Sequence, residues 1–148
     1  MFDLKNNIKL ETSLAPILKT TDVNGTGIDL QGFSSAALIV NIGANGDTFG
    51  ASVKTNLIIE DSDDNSTFAA VTSNTAVTGG TVDSSGIFQT VDANGETSKT
   101  YGIGYVGGKR YIRAVIDIVG THSNGTIYGA VVLKGTPLHG PVTSDANA

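Results

Sequence analysis

Alternation of apolar and polar residues between Arg110 and Gly135 constrains the fold of this chain more than any other feature. From Ile112 to Ile118 every second residue is apolar, as the two-residue period of a half-buried strand requires. Asn124-Gly125 follows, and a second apolar row then occupies odd positions: Ile127, Val131 and Leu133. Because Asn-Gly supplies the positive φ angles of tight turns, this stretch predicts two long strands joined as a β-hairpin.

Shorter segments elsewhere carry the same signal. Residues 35–42, 53–61, 87–91 and 100–106 read as strands, four Asn-Gly dipeptides mark turns, and no helical period persists beyond a turn or two. Together with nineteen glycines and abundant Thr, Val, Ile and Ser, this predicts an all-β, two-sheet sandwich of jelly-roll or Greek-key type. Residues 72–86 are expected to form a long loop with a weak edge strand at 76–78. The order of the strands does not follow from the pattern.

The chain of 148 residues fits one domain with two appendages. Residues 1–14 are predicted to form an N-terminal arm, because their large apolar residues follow neither a strand nor a helix spacing: Phe2, Leu4, Ile8 and Leu10. The single sandwich domain is expected over residues 15–142, where Pro16 confines any strand to a sheet edge or starts it. Residues 143–148 are expected to be a disordered tail.

Composition excludes several classes of function. The chain has no cysteine, which excludes disulfides, zinc-thiolate sites and thiol catalysis. Its net charge of −5 has the wrong sign for a general nucleic-acid binder. The N-terminal residues contain no apolar run long enough for a signal peptide or a membrane span, so we expect neither export nor membrane insertion.

Charge is unevenly distributed along the sequence. Seven acidic residues and no basic residue lie between Thr55 and Ser98, whereas three basic residues cluster at the start of the predicted hairpin: Lys109, Arg110 and Arg113. A solvated surface explains each group separately. Head-to-tail contact between identical subunits, or a basic patch facing an acidic partner, would use both groups.

The acidic segment Asp61 to Asn65 begins like a calcium loop, with oxygen-bearing side chains at alternating positions. The match fails further on, because Ser66 and Thr72 stand where such a loop needs Gly and a closing Glu. A hairpin turn stabilised by local Asp and Asn hydrogen bonds is the simpler interpretation. A calcium site of another geometry is the alternative.

No catalytic set emerges from the remaining polar residues. Ser34 is followed by Ala36 where a serine elbow needs Gly, and the two histidines, His122 and His139, lie in loops far apart in sequence. Glu60 and Asp61 fall on opposite faces of a strand, which argues against a glycosidase pair. The glycine pairs precede no helix and therefore make no phosphate loop. We expect no enzyme, no cofactor and no metal.

Five segments together resemble small virion proteins encoded among the head genes of tailed phages and prophages. They span nearly the whole chain: residues 10–16, 24–33, 60–68, 104–113 and 134–139. Such proteins are similar to capsid decoration, or cement, proteins, which are β-sandwich units that sit as trimers on the shell and clamp neighbouring capsomers. No catalytic motif belongs to this family, so no active-site residue can be transferred.

The resemblance implies a structural virion protein, made in a host bacterium's cytoplasm, whose partners are the major capsid protein and copies of itself. The candidate contact residues are the apolar residues of the arm and the basic cluster, with the 72–86 loop as a further contact: Phe2, Leu4, Ile8, Leu10, Lys109, Arg110 and Arg113. Deleting residues 2–10 should then leave folding intact and abolish capsid binding. Another virion component, such as a head-tail connector, a tail subunit or an adhesin, is the alternative.

Overall fold

The computed structural model describes residues 3–140 and residue 142, and their regular structure is almost entirely β. Phe2 and the predicted tail at 143–148 lie outside the described residues. Three single-turn 3₁₀ helices, Lys5–Asn7, Asn74–Ala76 and Asn94–Glu96, occur in the described part. Its strands are β1 (Ile8–Lys19), β2 (Val23–Asn24), β3 (Ile28–Asp29), β4 (Phe33–Asn45), β5 (Lys54–Ser62), β6 (Ala69–Ala70), β7 (Val77–Thr78), β8 (Ile87–Val91), β9 (Lys99–Tyr105), β10 (Tyr111–Val119) and β11 (Thr126–Pro137).

The strands form two antiparallel sheets that pack face to face, which confirms the predicted all-β sandwich. Sheet A has the order β1-β11-β4-β9-β7, and sheet B has the order β2-β10-β5-β6, with β3 also beside β10 and β8 beside β5. The principal pairs are nested: β1 with β11, β2 and β3 with β10, β4 with β9, and β5 with β8. A long hairpin rolled into two sheets has this nesting, which is the jelly-roll arrangement.

The predicted β-hairpin between Arg110 and Gly135 is wrong, although both of its strands exist. β10 pairs with β2, β3 and β5 in sheet B, whereas β11 pairs with β1 and β4 in sheet A. The connection through Asn124-Gly125 therefore crosses from one sheet to the other. Alternation shows that a strand has a buried face, but it does not identify the neighbouring strand, and consecutive strands of a jelly roll usually lie in opposite sheets.

The buried face of β11 also differs from the sequence prediction. Thr126, Tyr128, Ala130 and Val132 are at most 2% exposed and face sheet B, whereas Ile127 is 47% exposed. Val131 and Leu133, the other members of the predicted apolar row, lie on the same outer face as Ile127 and are half-buried. Since both rows of β11 are largely apolar, the two-residue period alone could not identify the inner one.

The core lies between the sheets and contains alternate residues of β4 and β5, within the strands predicted at 35–42 and 53–61, and members of the apolar row predicted between Ile112 and Ile118. In these three strands the apolar residues at most 1% exposed are Leu38, Val40 and Ile42 from β4, Leu57 and Ile59 from β5, and Ile112, Ala114 and Ile116 from β10. Burial of each such Leu, Ile or Val side chain stabilises the fold by about 1.5–3 kcal/mol relative to exposure.

The N-terminal boundary of the sandwich needs correction. Residues 8–14, predicted as part of an arm, form the first half of β1 and pair with β11 from Ile8 opposite Gly135 onwards. Register shifts between Thr12 and Leu14 and between Leu14 and Ile17 break the alternation, which explains why this strand was not recognised. Pro16 lies at the second shift on an edge strand, as predicted from its missing amide donor.

The first bulge of β1 places Ser13 where it links the two sheets. Ser13 is 3% exposed, and its hydroxyl donates to the Thr26 carbonyl at 2.9 Å and accepts from the Ala114 amide at 3.1 Å. Gly25 lies against this serine so closely that a Cβ there would overlap the Ser13 side chain. These contacts join β1 of sheet A to β10 of sheet B.

The expected weak edge strand is confirmed as β7, which lies inside the 72–86 segment. It pairs with the end of β9. In the described part of the chain, no helix has the length and apolar character needed to cross a membrane.

Candidate contact surfaces

Each member of the predicted basic cluster has a carboxylate partner within the chain. Arg110 binds both oxygens of Asp29, through Nε at 3.0 Å and Nη2 at 2.7 Å, and these hydrogen bonds lower the pKa of Asp29. Lys109 Nζ lies 3.5 Å from Asp61 Oδ1 and 3.9 Å from Asp63 Oδ2. The cluster is therefore not a patch of uncompensated positive charge.

Arg113 is held most firmly. Its Nε and Nη2 donate to Glu60 Oε2 at 2.7 and 2.6 Å, and its guanidinium lies 4.1 Å from the centre of the Phe68 ring. Both charged side chains are only 20% exposed. A stacked, paired arginine of this kind stabilises the outer surface of sheet B and is poorly placed to change partners.

Part of the acidic run links the two sheets. The Tyr105 hydroxyl, at the end of β9, donates to Asp61 Oδ2 on β5 at 2.8 Å, and burial together with this bond raises the pKa of Tyr105. The Lys109 amide donates in turn to the Tyr105 hydroxyl at 3.2 Å. Sequence spacing did not indicate this contact, because the two strands belong to different sheets.

The Asp61 to Asn65 segment forms the predicted hydrogen-bonded turn. Asp64 Oδ1 accepts from the Ser62 hydroxyl and from the amides of Ser66 and Thr67, at 2.7–2.9 Å, and the bonds from the two amides are the main cause of a lowered Asp64 pKa. Within residues 3–140 and 142, no three His, Asp or Glu side chains lie close enough together to hold a metal ion.

The histidines and Ser34 have local roles. His122 is 3% exposed, its Nε2 lies 3.2 Å from the Val119 carbonyl, and its ring meets the Phe49 ring edge-on. His139 is exposed beyond the end of β11. The Ser34 hydroxyl donates to the Thr136 carbonyl at 3.0 Å.

The outer face of sheet A is the most unusual surface of the molecule, and we call it the uncharged face. Register places Leu10, Thr12 and Leu18 of β1 beside Leu133, Val131 and Ile127 of β11. Across β4 and β9 it continues through Ala37, Ile39 and Asn41 to Gly104, Gly102 and Thr100. None of these described residues carries a charge, although Leu10, Leu18 and Ile127 are 45%, 56% and 47% exposed.

The outer face of sheet B has the opposite character. Besides the Arg113–Glu60 pair, Asn56 donates to Asp117 at 2.8 Å and accepts from the Thr90 hydroxyl at 2.9 Å. Polar side chains here form a hydrogen-bonded layer suited to water. The two sides of the sandwich therefore differ in charge and in exposed apolar side chains.

A second apolar surface lies at one end of the sandwich, which we call the terminal end. It comprises residues 3–7, 30–36, 105–111 and 136–140, where β1 begins and β11 ends. Leu4, Val106 and Leu138 are 66%, 56% and 66% exposed there. The Leu138 amide donates to the Gly32 carbonyl at 2.9 Å, next to a groove of about 380 Å³ lined in part by Phe33, Lys109 and Arg110.

The structure separates the predicted contact residues into three places. Leu4, Lys109 and Arg110 lie at the terminal end, Leu10 lies on the uncharged face, and Arg113 lies on the outer face of sheet B. Ile8 is a half-buried strand residue, and Phe2 lies outside the described residues. Sequence reasoning missed the exposed apolar residues Ile17, Leu18, Val106, Ile127 and Leu138. For Ile127, the sequence did contain a signal: both rows of β11 are apolar, so one of the two rows had to face away from the core.

Comparison with known proteins adds no relative. No family model matches this chain, and a search of curated proteins found no match.

Proposed function

We propose that this chain is a structural virion protein that binds the outer surface of a tailed-phage capsid and bridges neighbouring capsomers, with the major capsid protein and copies of itself as partners. Two lines of argument support the proposal. One is the resemblance of its segments to small virion proteins, and the other is the distribution of exposed apolar residues.

That distribution is the structural observation on which the proposal rests. The uncharged face and the terminal end are separate surfaces, one on the side of the sandwich and one at its tip. A bridging protein needs at least two such contacts, held at a fixed distance by a rigid body. A jelly roll with a continuous core provides that rigidity, since the sheets are joined at the core and at the Tyr105–Asp61 hydrogen bond.

The terminal end is the proposed contact with the shell. It carries the exposed Leu4, Val106 and Leu138 together with the predicted contact residues Lys109 and Arg110. Exposed apolar side chains next to charged ones, with Arg110 among them, form the mixed surface typical of non-obligate protein interfaces, in which Arg is enriched.

The test is co-sedimentation of the purified chain with shells assembled from the major capsid protein of the same genome. Val106→Asp should reduce binding at least tenfold, because an apolar contact would become a buried charge. Ala51→Asp, an exposed position in the loop between β4 and β5 at the other end, should bind as the unmodified chain does. Failure of the unmodified chain to bind shells would overturn the proposal, and incorporation into tails or connectors would favour another virion component.

The N-terminal deletion is best placed at residues 2–7. Deletion of residues 2–10 would also remove the β1 pairs made by Ile8, Lys9 and Leu10, and would mix a folding defect with a binding defect. Deletion of residues 2–7 leaves β1 complete. We expect it to weaken shell binding while the unfolding temperature stays within a few degrees of that of the unmodified chain.

A further inference from the structure

We infer that the uncharged face is an interface between copies of this chain. In this interface the apolar side chains of β1, β11 and β4 in one copy pack on the flat strip at Gly102 of β9 in another. The inference deepens the proposed function and rests on the part of it that names copies of this chain as partners, because it assigns the surface through which those copies meet.

The first argument is the chemical nature of the face. An interface between identical subunits that stay together is more apolar than a transient interface with another protein, which needs polar groups for specificity. The chain carries a net charge of −5, so like-charge repulsion opposes association of copies through most of its surface. The described part of the uncharged face avoids this repulsion, because charged side chains are absent there.

The second argument is shape. One half of the face, on β1, β11 and β4, carries a ridge of branched apolar side chains, with Leu18 and Ile127 among them, beside a depression of about 350 Å³ at Gly129. The other half, on β9, is flat at Gly102, where a Cβ would meet no atom closer than 3.6 Å, whereas the Thr78 side chain of β7 covers the corresponding position on Gly104. A ridge and a flat strip on the same face are complementary between two copies, and a closed ring of copies can satisfy both halves of every subunit.

The third argument is size. Four strands about 4.8 Å apart and about eight residues long, at roughly 3.4 Å per residue, give a footprint of roughly 500 Å². That is of the same order as the roughly 800 Å² that each partner buries in a standard interface.

The edge of sheet A is a poorer route to association. β1 is an edge strand, but its two register shifts and Pro16 interrupt the row of backbone groups that another strand would need. Leu10 and Leu18 of β1, in contrast, lie on the outer face and are 45% and 56% exposed. The Pro16 ring packs 3.3 Å from the position that a Cβ on Gly129 would take.

Two matched pairs of substitutions test the inference. Leu18→Asp places a charge on the ridge, and Val106→Asp makes the same kind of change at the terminal end, where the native residue is also 56% exposed. Gly102→Lys places a long side chain on the strip, where a Cβ meets no atom closer than 3.6 Å, so the monomer can accommodate it. Gly108→Lys is its control, since a Cβ there meets nothing within 4 Å.

Size-exclusion chromatography with light scattering gives the readout, and circular dichroism checks that each variant is folded. We expect the unmodified chain and both control variants to be oligomers, and Leu18→Asp and Gly102→Lys to shift at least tenfold toward monomer. A monomeric unmodified chain, or an oligomer that survives either face variant, would overturn the inference. If Val106→Asp loses shell binding but remains an oligomer, the result supports the shell contact at the terminal end and agrees with the interface inferred here. The two proposals can therefore fail separately.

Discussion

The hydroxyl of Tyr128 on β11 and the hydroxyl of Thr55 on β5 lie 2.7 Å apart, and both residues are fully buried. Because β11 belongs to sheet A and β5 to sheet B, this hydrogen bond crosses the core of the sandwich. Burial raises the pKa of Tyr128, which keeps the phenol protonated and able to donate. The pair therefore fixes how the two sheets are aligned, in addition to the apolar contacts around it.

Removal of both partners of this bond should cost less than the two single removals added together. Tyr128→Phe leaves the Thr55 hydroxyl buried without its partner and is expected to lower the free energy of unfolding by about 1–3 kcal/mol. Tyr128→Phe combined with Thr55→Val should cost less than the sum of the two single changes. Chemical denaturation of the four proteins measures the coupling, and strict additivity would show that the bond contributes nothing.

Glu11 should contribute to loss of stability in acid. Partial burial acts to raise its pKa, but hydrogen bonds and charge from Lys9, at 2.7 Å, and from Lys134, at 3.0 Å, outweigh burial and lower the pKa below 4.5. Since the folded-state pKa is the lower one, the stabilisation is complete above about pH 4.5 and disappears as the pH falls through the folded value.

Glu11→Gln tests this expectation in unfolding experiments from pH 7 to pH 2. The variant should be less stable than the unmodified chain at pH 7, because Lys134 is only 3% exposed and loses its carboxylate. The difference should shrink toward zero in acid. A difference that stays constant with pH would contradict the assigned ion pair.

The crossing between β10 and β11 should be sensitive to substitution at Gly125. This glycine has a φ of 75°, and a Cβ would lie 2.7 Å from the Lys19 carbonyl oxygen. Gly125→Ala is expected to lower the free energy of unfolding by about 1–3 kcal/mol. Gly95→Ala, where a Cβ meets nothing within 4 Å, should change it by less than about 0.5 kcal/mol. Equal effects would mean that the crossing tolerates a side chain.

Calcium should leave the thermal stability of the chain unchanged. The Asp64 carboxylate is already engaged by the Ser62 hydroxyl and by the amides of Ser66 and Thr67. Asp64→Ala should lower the unfolding temperature, because these donors lose their acceptor, whereas Asp63→Ala should change it little. Differential scanning fluorimetry with calcium or a chelator measures both effects, and a calcium-dependent rise that requires Asp64 would revive a metal site.

Much of the fold follows from the sequence through side-chain alternation. The strands at 35–42, 53–61 and 112–118, the edge position of Pro16 and the turn at Asp64 were all predicted, since each depends on local patterning or on one residue's chemistry. Residues 8–14 were assigned to an arm, because two bulges in β1 shift the phase of its alternation. Short-range patterns reveal a strand only while its register is regular.

The contact surfaces depended on tertiary structure. Arg110 and Asp29 are far apart in sequence yet form a bidentate pair, so the apparent basic cluster is neutralised by strands that only the fold brings near it. Exposure of Ile127 and Leu18 likewise depends on which face of sheet A meets sheet B.

The sequence by itself determined that this chain is an all-β sandwich, because a period of two with glycine-rich turns leaves apolar rows that only packed sheets can bury. Tertiary structure alone decided the pairing of the strands, the crossing between β10 and β11, and the outward direction of Ile127. The physical reason is that alternation specifies two faces of a strand without specifying its neighbours. Where both faces are apolar, as in β11, only packing against the opposite sheet decides which face is buried and which remains available for another protein.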